Sequence, residues 1–171
     1  MVVLAPPALA DAEALLAFEC ANRAFFEANI NARAPSYYTP DGVALAIQAA
    51  IIDAAADRGY QFLVKAHGGA IIGRINLREV AREHFHSAVL GYRIGEAHCG
   101  NGHATAAVRA LLDIAFGPLR LHRIEAGARA CNLGSVQVLL RNGFVQFGHS
   151  RRSFELDGVW HDRLHFERHA A

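Results

Sequence analysis

Two glycines in a short turn are the first residues of this sequence whose types and spacing could do chemistry. Gly100 and Gly102 stand between an apolar segment that ends near Ile94 and an amphipathic segment that begins near His103. Glycine lets the backbone approach a ligand closely, and the first N–H groups of a helix have no intrahelical partner. These donors and the helix dipole favour an anion, most often a phosphate. The turn therefore predicts a phosphate site, although a plain glycine-rich connection fits the spacing equally well.

The residues around this turn argue against two common nucleotide-binding motifs. A P-loop needs Lys and then Ser or Thr after its last glycine, and the sequence has neither in that register. A dinucleotide fingerprint needs a third glycine, but Thr105 takes that place. Glu125 stands close to the position of the acidic residue in that fingerprint, so the dinucleotide interpretation is weakened rather than removed.

A second group of residues decides what this turn belongs to. Residues 121–130 (Leu-His-Arg-Ile-Glu-Ala-Gly-Ala-Arg-Ala) predict a strand. Asn132 and Ser135 then open a helical pattern that ends at the turn 142–144 (Asn-Gly-Phe). With the preceding strand, turn and helix, this order resembles the GNAT superfamily of acetyl-CoA-dependent N-acetyltransferases. The individual residues are most similar to the branch that includes the ribosomal-protein N-terminal acetyltransferases, the Rim type.

The resemblance covers about residues 60–169 and matches residues 1–59 only loosely. It implies an α/β (α+β) fold, in which a mixed, mostly antiparallel sheet is flanked by helices and splayed around acetyl-CoA. The family's turn usually begins with Gln or Arg, whereas Cys99 holds that place here. We still expect acetyl-CoA to bind, because the backbone donors remain, and this substitution leaves the affinity open. The matching segments are residues 72–75 (Ile-Gly-Arg-Ile), 91–95 (Gly-Tyr-Arg-Ile-Gly), 104–107 (Ala-Thr-Ala-Ala), 121–125 (Leu-His-Arg-Ile-Glu), Asn132 with Ser135, and 160–162 (Trp-His-Asp).

The resemblance also implies which residues bind acetyl-CoA. The strand 90–94 is expected to pair with the pantetheine arm and to offer a backbone N–H to the developing oxyanion. Gly91 and Gly95 suit such a distorted strand, and they would equally suit a simple kink or strand end. Asn132 is expected to cap its helix and to hydrogen-bond the pantetheine, although a cap alone would explain it. The expected acetyl-CoA-binding residues are Tyr92, Arg93, Ile94, Gly100, Asn101, Gly102, His103, Ala104, Asn132 and Ser135.

Acetyl transfer needs a proton donor for the departing thiolate. Many GNAT enzymes carry a Tyr donor on the second helix, but Leu139 holds that position here. The Rim-type branch has Ser in its Asn-x-x-Ser motif, so Ser135 becomes the candidate donor. A small polar residue at this position could also serve only to permit close packing.

The attacking amine must also lose a proton, and the base is less clearly marked. A protein α-amine has a pKa of about 7.7–8.0, so a single carboxylate or His suffices. Glu125 is one candidate, although an ion pair with a neighbouring Arg such as Arg74 explains it as well. His84 and His86 alternate at the start of a predicted strand and would share one face, where a solvated edge is their ordinary role. Glu79 lies in the same region.

Composition excludes several other classes of protein. The chain has 171 residues, a net charge of +1 and 53% hydrophobic residues, which argues against disorder and against a general binder of nucleic acid or membrane. It opens with no leader pattern, so we expect a cytoplasmic protein. The three cysteines are widely spaced and indicate neither a disulfide framework nor a metal site. The regularly spaced His161, His165 and His169 predict a His-rich surface strand rather than a metal site.

Hydrophobic periodicity and turn residues predict the remaining elements. No linker or repeat indicates a second domain, so we expect residues 1–171 to form one acetyltransferase domain. The prediction comprises a helix over residues 11–29, a loop over 31–40, a helix capped by Thr39 and ending near 57, a hairpin of 60–66 with 70–80, a strand over 85–94, and a hairpin of 144–156 with 159–168 around Asp157 and Gly158.

The sequence thus predicts direct acetyl transfer from acetyl-CoA to a primary amine, for which the N-terminal α-amine of a protein such as a ribosomal protein is the first candidate. A small amine, such as an antibiotic or a polyamine, is the first alternative, and an acidic pocket would favour the polyamine. A non-catalytic CoA-binding regulatory module is the second. Homodimers are frequent in the family, and no residue argues for one independently. The family's acceptor wall would comprise Phe25, Phe26, Asn29, Tyr37 and Tyr38, which could instead pack the loop onto the core.

Overall fold

Seven strands form one sheet in the computed structural model, which describes residues 2–171. The strands are β1 (Val2–Ala5), β2 (Tyr60–Ala66), β3 (Ile71–Ala81), β4 (Ser87–Ile94), β5 (Arg123–Arg129), β6 (Val145–Leu156) and β7 (Val159–His169). Their order across the sheet is β1-β2-β3-β4-β5-β7-β6. Only β4 and β5 pair in parallel, and all other neighbours are antiparallel. The expected mixed, mostly antiparallel sheet is therefore confirmed.

Helices cover both faces of this sheet. They are α1 (Ala12–Ala21), α2 (Arg23–Glu27), α3 (Pro40–Ala55), α4 (His103–Phe116) and α5 (Leu133–Arg141). Successive residues of a strand point to opposite faces, so each face builds its own apolar core. The larger core, which includes Ile124 and Phe166, packs against α4 and α5, and the smaller one, which includes Leu63, packs against α1 and α3.

The sheet opens between β4 and β5. The two strands pair only over Ser87–Leu90 and Arg123–Ala126. Beyond this point β4 stays paired with β3 to its last residue, Ile94, and β5 stays paired with β7. Because the β3–β4 register is continuous there, the gap is a separation of strands and not a bulge. This confirms the expected splay.

The expected helix over residues 11–29 is broken at Asn22, which separates α1 from α2. The Asn22 side chain donates to the Phe18 carbonyl at 2.9 Å and accepts from the Glu96 N–H at 2.9 Å. It therefore fixes the helix end to the segment that follows β4. Thr39 caps α3 as expected, accepting from the Gly42 N–H at 3.0 Å.

Two further expectations need correction. His84 and His86 do not begin a strand, because β4 starts only at Ser87. Their positive φ angles of 64° and 46° place them in the turn after β3, so the expected shared face is wrong. The short strand β1 was not expected at all.

Within residues 2–171, no helix combines the length and apolar composition needed to cross a bilayer.

Candidate functional site

The glycine-rich turn has the geometry of an anion site. Gly100 and Gly102 have φ angles of 78° and 76°, and a Cβ on either would meet no atom within 4 Å. The glycines are thus needed for the backbone conformation, and the space beside them is open. Helix α4 begins at His103, and the Ala106 N–H donates to the Gly102 carbonyl at 3.0 Å. The N–H groups before Ala106 are left to face the open turn.

Cys99 turns away from this anion site. Its thiol donates to the carbonyls of Ile94 at 3.7 Å and Gly95 at 3.5 Å, at the end of β4. Burial raises the pKa of this thiol. The nucleophilic form of cysteine is the thiolate, so a neutral Cys99 suits a covalent route poorly. The side chain neither braces the turn nor adds positive charge to it.

The gap between β4 and β5 exposes backbone groups to a ligand. The Gly95 N–H, just after β4, points towards β3 and donates to the Ile72 carbonyl oxygen at 2.9 Å. Backbone groups alternate in direction along a strand, so those of Tyr92 and Ile94 point to the opposite side, where β5 has separated. An extended chain with amide groups could pair with them there.

Two hydroxyl groups meet in the wall of the same gap. The Tyr92 hydroxyl lies 2.8 Å from Ser135 Oγ and 3.3 Å from the Ser135 carbonyl oxygen. Burial raises the pKa of Tyr92 to about 12. Asn132 caps α5, with its side-chain oxygen accepting from the Ser135 N–H at 3.1 Å. The cap thereby positions Ser135, and the Tyr92 hydroxyl is a contact that the sequence did not reveal.

A cavity of about 430 Å³ joins these features. It runs from the glycine-rich turn, through the gap in the sheet, to residues around α2. Nine of the ten residues expected to bind acetyl-CoA line it, and Asn101 lies exposed in the same turn, outside the lining. The lining residues are Phe25, Phe26, Asn29, Ile30, Tyr92, Arg93, Ile94, His98, Cys99, Gly100, Gly102, His103, Ala104, Thr105, Asn132, Gly134, Ser135, Gln137, Val138 and Arg141.

The three candidate bases lie outside this lining. Glu125 is ion-paired with Arg123, which also contacts Glu167 at 2.7 Å. The expected ion pair with a neighbouring Arg is therefore confirmed, with Arg123 and not Arg74 as the partner. His84 and His86 lie at the N-terminal end of β4, whereas the glycine-rich turn follows its C-terminal end. The cavity lining contains no Asp or Glu among residues 2–171.

One buried carboxylate beside the cavity was not expected. Glu19 is fully buried, and its Oε1 accepts from Arg93 at 2.7 Å, Arg74 at 2.8 Å and Tyr37 at 3.2 Å. Burial lowers the pKa of Arg93 to about 10, so this guanidinium remains charged at neutral pH. Arg74 and Arg93 are 55 and 74 residues away from Glu19 along the chain, so local sequence patterns carry no signal for this cluster.

The expected acceptor wall is only partly formed. Phe25, Phe26 and Asn29 line the cavity, but Tyr37 and Tyr38 do not. Tyr37 bonds to the Glu19 cluster, and Tyr38 packs edge-on against Tyr37 with ring centres 5.2 Å apart. These two tyrosines thus hold the loop in place. Within residues 2–171, no three His, Cys, Asp or Glu side chains are grouped as metal ligands would be.

Comparisons with known proteins agree with this geometry. Residues 2–145 match the family described as acetyltransferase (GNAT) domain. The chain is 38% identical over 162 residues to the probable N-acetyltransferase YjcK of Bacillus subtilis, covering 94% of this chain and 90% of that protein. It is 34% identical over 94 residues to the [ribosomal protein uS5]-alanine N-acetyltransferase of Escherichia coli. This second match covers 55% of the chain and 48% of the relative.

Among solved structures, the chain is similar to Mycobacterium smegmatis RimJ in complex with CoA-disulfide. The TM-score is 0.90 at 28% sequence identity, and the match covers 99% of this chain and 82% of that one.

Proposed function

Because this chain belongs to the GNAT family and is an acetyl-CoA-dependent N-acetyltransferase, we propose that its acceptor is the N-terminal α-amine of a protein such as a ribosomal protein. The similarity to a uS5-alanine N-acetyltransferase and to RimJ supports this acceptor. The observation that carries the proposal is the cavity that passes through the open sheet and continues to α2. A ribosomal-protein acceptor would also place the enzyme in the cytoplasm.

In this proposal the two ends of the cavity divide the binding of acetyl-CoA. The free N–H groups of the glycine-rich turn, from Gly100 to Ala104, hold the pyrophosphate. The backbone groups of Tyr92 and Ile94 pair with the pantetheine arm where β5 has left β4. Asn132 keeps Ser135 at the same wall through its cap. The donors needed for an extended, phosphate-bearing ligand are therefore present in one cavity.

The reaction then requires three contributions from the protein. The neutral amine attacks the thioester carbonyl, so a C–N bond forms and negative charge develops on oxygen, which a β4 backbone N–H stabilises. When the C–S bond breaks, Ser135 Oγ–H passes its proton to the departing thiolate and takes one back from the water that receives the amine proton, so Ser135 ends as a neutral hydroxyl. Tyr92 contacts Ser135 Oγ and completes the donor pair. No carboxylate lines the cavity within residues 2–171, so the amine proton leaves through water, with His98 and His103 of the lining as the side chains able to relay it.

This route is compatible with an α-amine acceptor. An α-amine has a pKa of about 7.7–8.0, so a substantial fraction is already neutral near physiological pH. A Lys side chain, with a pKa of about 10.4, would need a stronger base. A polyamine would favour an acidic pocket, and this cavity has none among its lining residues. These features support the α-amine over the small-amine alternatives.

The first experiment measures acetyl-CoA binding by calorimetry. Gly102→Glu should abolish binding, because a carboxylate at the start of α4 would repel the pyrophosphate. Gly102→Asn is the matched control, since Asn tolerates a positive φ and adds no charge. If both variants bind as wild type does, the turn is not the phosphate site.

The second experiment measures thiol release with short peptides. We expect turnover with a free N-terminus and none with the same peptide N-terminally acetylated. Turnover of spermidine or an aminoglycoside, with none for any peptide, would contradict the proposed acceptor.

A further inference from the structure

Arg93 presents unused hydrogen-bond donors to the cavity. It lines the cavity with a side chain that is 14% exposed, and its guanidinium lies 4.8 Å from the centre of the Phe26 ring. A guanidinium has five N–H donors. Within residues 2–171, Arg93 makes one side-chain hydrogen bond, from Nη2 to Glu19 Oε1 at 2.7 Å. A planar fork with most of its donors free is suited to a carboxylate.

The charges around Glu19 do not balance. Arg33, Arg74 and Arg93 all approach this one carboxylate, at 3.8, 2.8 and 2.7 Å. All three contacts converge on Oε1, whereas Oε2 is buried without a hydrogen-bond partner. One negative charge thus faces three positive charges, two of them on side chains less than 15% exposed. Buried charge without compensation is costly, and an anionic ligand would supply the missing compensation.

Two more arginines continue this surface across the sheet. Arg129 on β5 and Arg163 on β7 are paired neighbours, so their side chains lie on the same face. Arg129 donates to Asn29, a cavity residue, at 3.2 Å, which places that face on the α2 side. The Arg163 guanidinium covers Gly127.

Neither of these two arginines has a carboxylate within 4 Å in the part of the chain that the structure describes. We call Arg93, Arg129 and Arg163 the arginine wall. Three adjacent strands contribute to it, on the side of the sheet away from α4 and α5. Arg93 lines the cavity, Arg129 reaches the lining residue Asn29, and Arg163 lies one strand further from the gap. The glycine-rich turn, which begins α4, already offers donors for the phosphates of acetyl-CoA. The arginine wall is therefore available to bind the acceptor.

We propose that the arginine wall binds a carboxylate of the acceptor, which is then a peptide with an acidic side chain within its first few residues. This inference rests on the proposed α-amine acceptor. It adds that the acceptor peptide carries negative charge close to its N-terminus. The same positive charge disfavours the protonated amine and so promotes the neutral, reactive form. It also disfavours a polyamine.

The test compares three peptides that share an N-terminal Ala and differ only at residues 2 and 3. These two residues are Glu in the first peptide, Gln in the second and Lys in the third. The kcat/KM should be about tenfold or more higher for Glu than for Gln, since a hydrogen bond to a charged group discriminates by that amount. Lys should be the poorest acceptor. Arg163→Gln and Arg129→Gln should bring the Glu-to-Gln ratio towards one, and Arg163→Lys should retain part of the preference.

The controls separate this inference from the proposed function. Arg109→Gln removes a charge from an exposed position on α4 and should leave the ratio unchanged. Acetyl-CoA affinity should also stay the same in Arg163→Gln, which shows that the wall does not serve its phosphates. Equal use of Glu and Gln peptides by wild type would overturn the inference while the α-amine acceptor stands. Turnover of small amines with no peptide accepted would overturn both.

Discussion

The hydroxyls of Tyr92 and Ser135 meet at 2.8 Å in the wall of a cavity that also holds an open strand edge. Ser135→Ala should lower kcat about 100-fold, the usual contribution of a positioned acid, and leave acetyl-CoA affinity unchanged. Tyr92→Phe should lower kcat less, about tenfold, because it removes one hydrogen bond to the donor. Steady-state kinetics with calorimetry on the same preparations checks both values.

Ser153→Ala is the matched control for these variants, because Ser153 is exposed on β6 and donates only to the Ser150 carbonyl. It should retain full activity. A loss of acetyl-CoA affinity in Ser135→Ala that equals its loss in kcat/KM would show that Ser135 only shapes the cavity.

The pH profile tests the absence of a carboxylate in the cavity lining. We expect kcat/KM to rise through about 7.7–8.0, the pKa of the acceptor amine, because only the neutral amine attacks. Burial raises the pKa of Tyr92 to about 12, so Tyr92 stays protonated and the profile should remain level above that rise. A rise centred well below the amine pKa would reveal a protein base, and a fall before about pH 10 would reveal an essential acid other than Tyr92.

Single residues differ in how far the sequence predicted them. Ser135 and Asn132 followed from a short motif, because a cap and its partner are local in sequence. Glu19 did not, because it looks like any helix residue until Arg74 and Arg93 approach from distant strands. His84 and His86 were misplaced because alternation alone cannot show where a turn ends and a strand begins.

The helices α3 and α5 offer a matched pair of caps. Thr39 and Asn132 each accept one backbone N–H, and only Asn132 lines the cavity. Thr39→Ala and Asn132→Ala should each lower the free energy of unfolding by about 1 kcal/mol. Only Asn132→Ala should also weaken acetyl-CoA binding.

Asn132→Asp separates the two roles of this residue, because it keeps the capping oxygen and loses the amide donor. It should keep stability and still bind more weakly. Denaturant unfolding and calorimetry report the two quantities independently. Equal affinity in all three cap variants would confine Asn132 to capping.

Elements with strong local signals were predicted well. Asp157 and Gly158 both have positive φ, as a tight hairpin turn requires, and β6 and β7 follow from that turn. The break at Asn22 was missed, and one of its two side-chain hydrogen bonds, from the Glu96 N–H across the fold, has no signal in the local sequence. The strand β1 has four residues, too few to show an alternating hydrophobic pattern, and it is defined by its pairing with β2.

The near-neutral net charge of the whole chain conceals a one-sided distribution. The formal charge is +1, yet the cavity is lined by Arg93 and Arg141 with no carboxylate among residues 2–171. Many acidic side chains are paired away from it, as Asp57 is with Arg82 at 2.5 Å. Overall composition therefore could not indicate a local cationic site.

The open sheet divides the molecule into two halves joined by few strand contacts. Strands β1–β4 and β5–β7 share only four residue pairs, between Ser87–Leu90 and Arg123–Ala126. A ligand that pairs with the free edge of β4 would bridge these halves. Amide exchange can detect this directly, because an N–H without a partner exchanges with solvent and a bonded one is protected.

In the free protein, the amides of Tyr92 and Ile94 should exchange rapidly, whereas Arg93 and Gly95, which face β3, should be protected. Saturating acetyl-CoA should lower the exchange rates of the Tyr92 and Ile94 amides by about tenfold or more, the effect expected when each amide gains one hydrogen bond. It should leave Arg93 and Gly95 unchanged. Gly102→Glu, measured under the same conditions, should show no slowing, since it cannot hold the pyrophosphate. Protection at Tyr92 and Ile94 before ligand is added would mean that the gap closes in solution, and binding would then have to open the sheet.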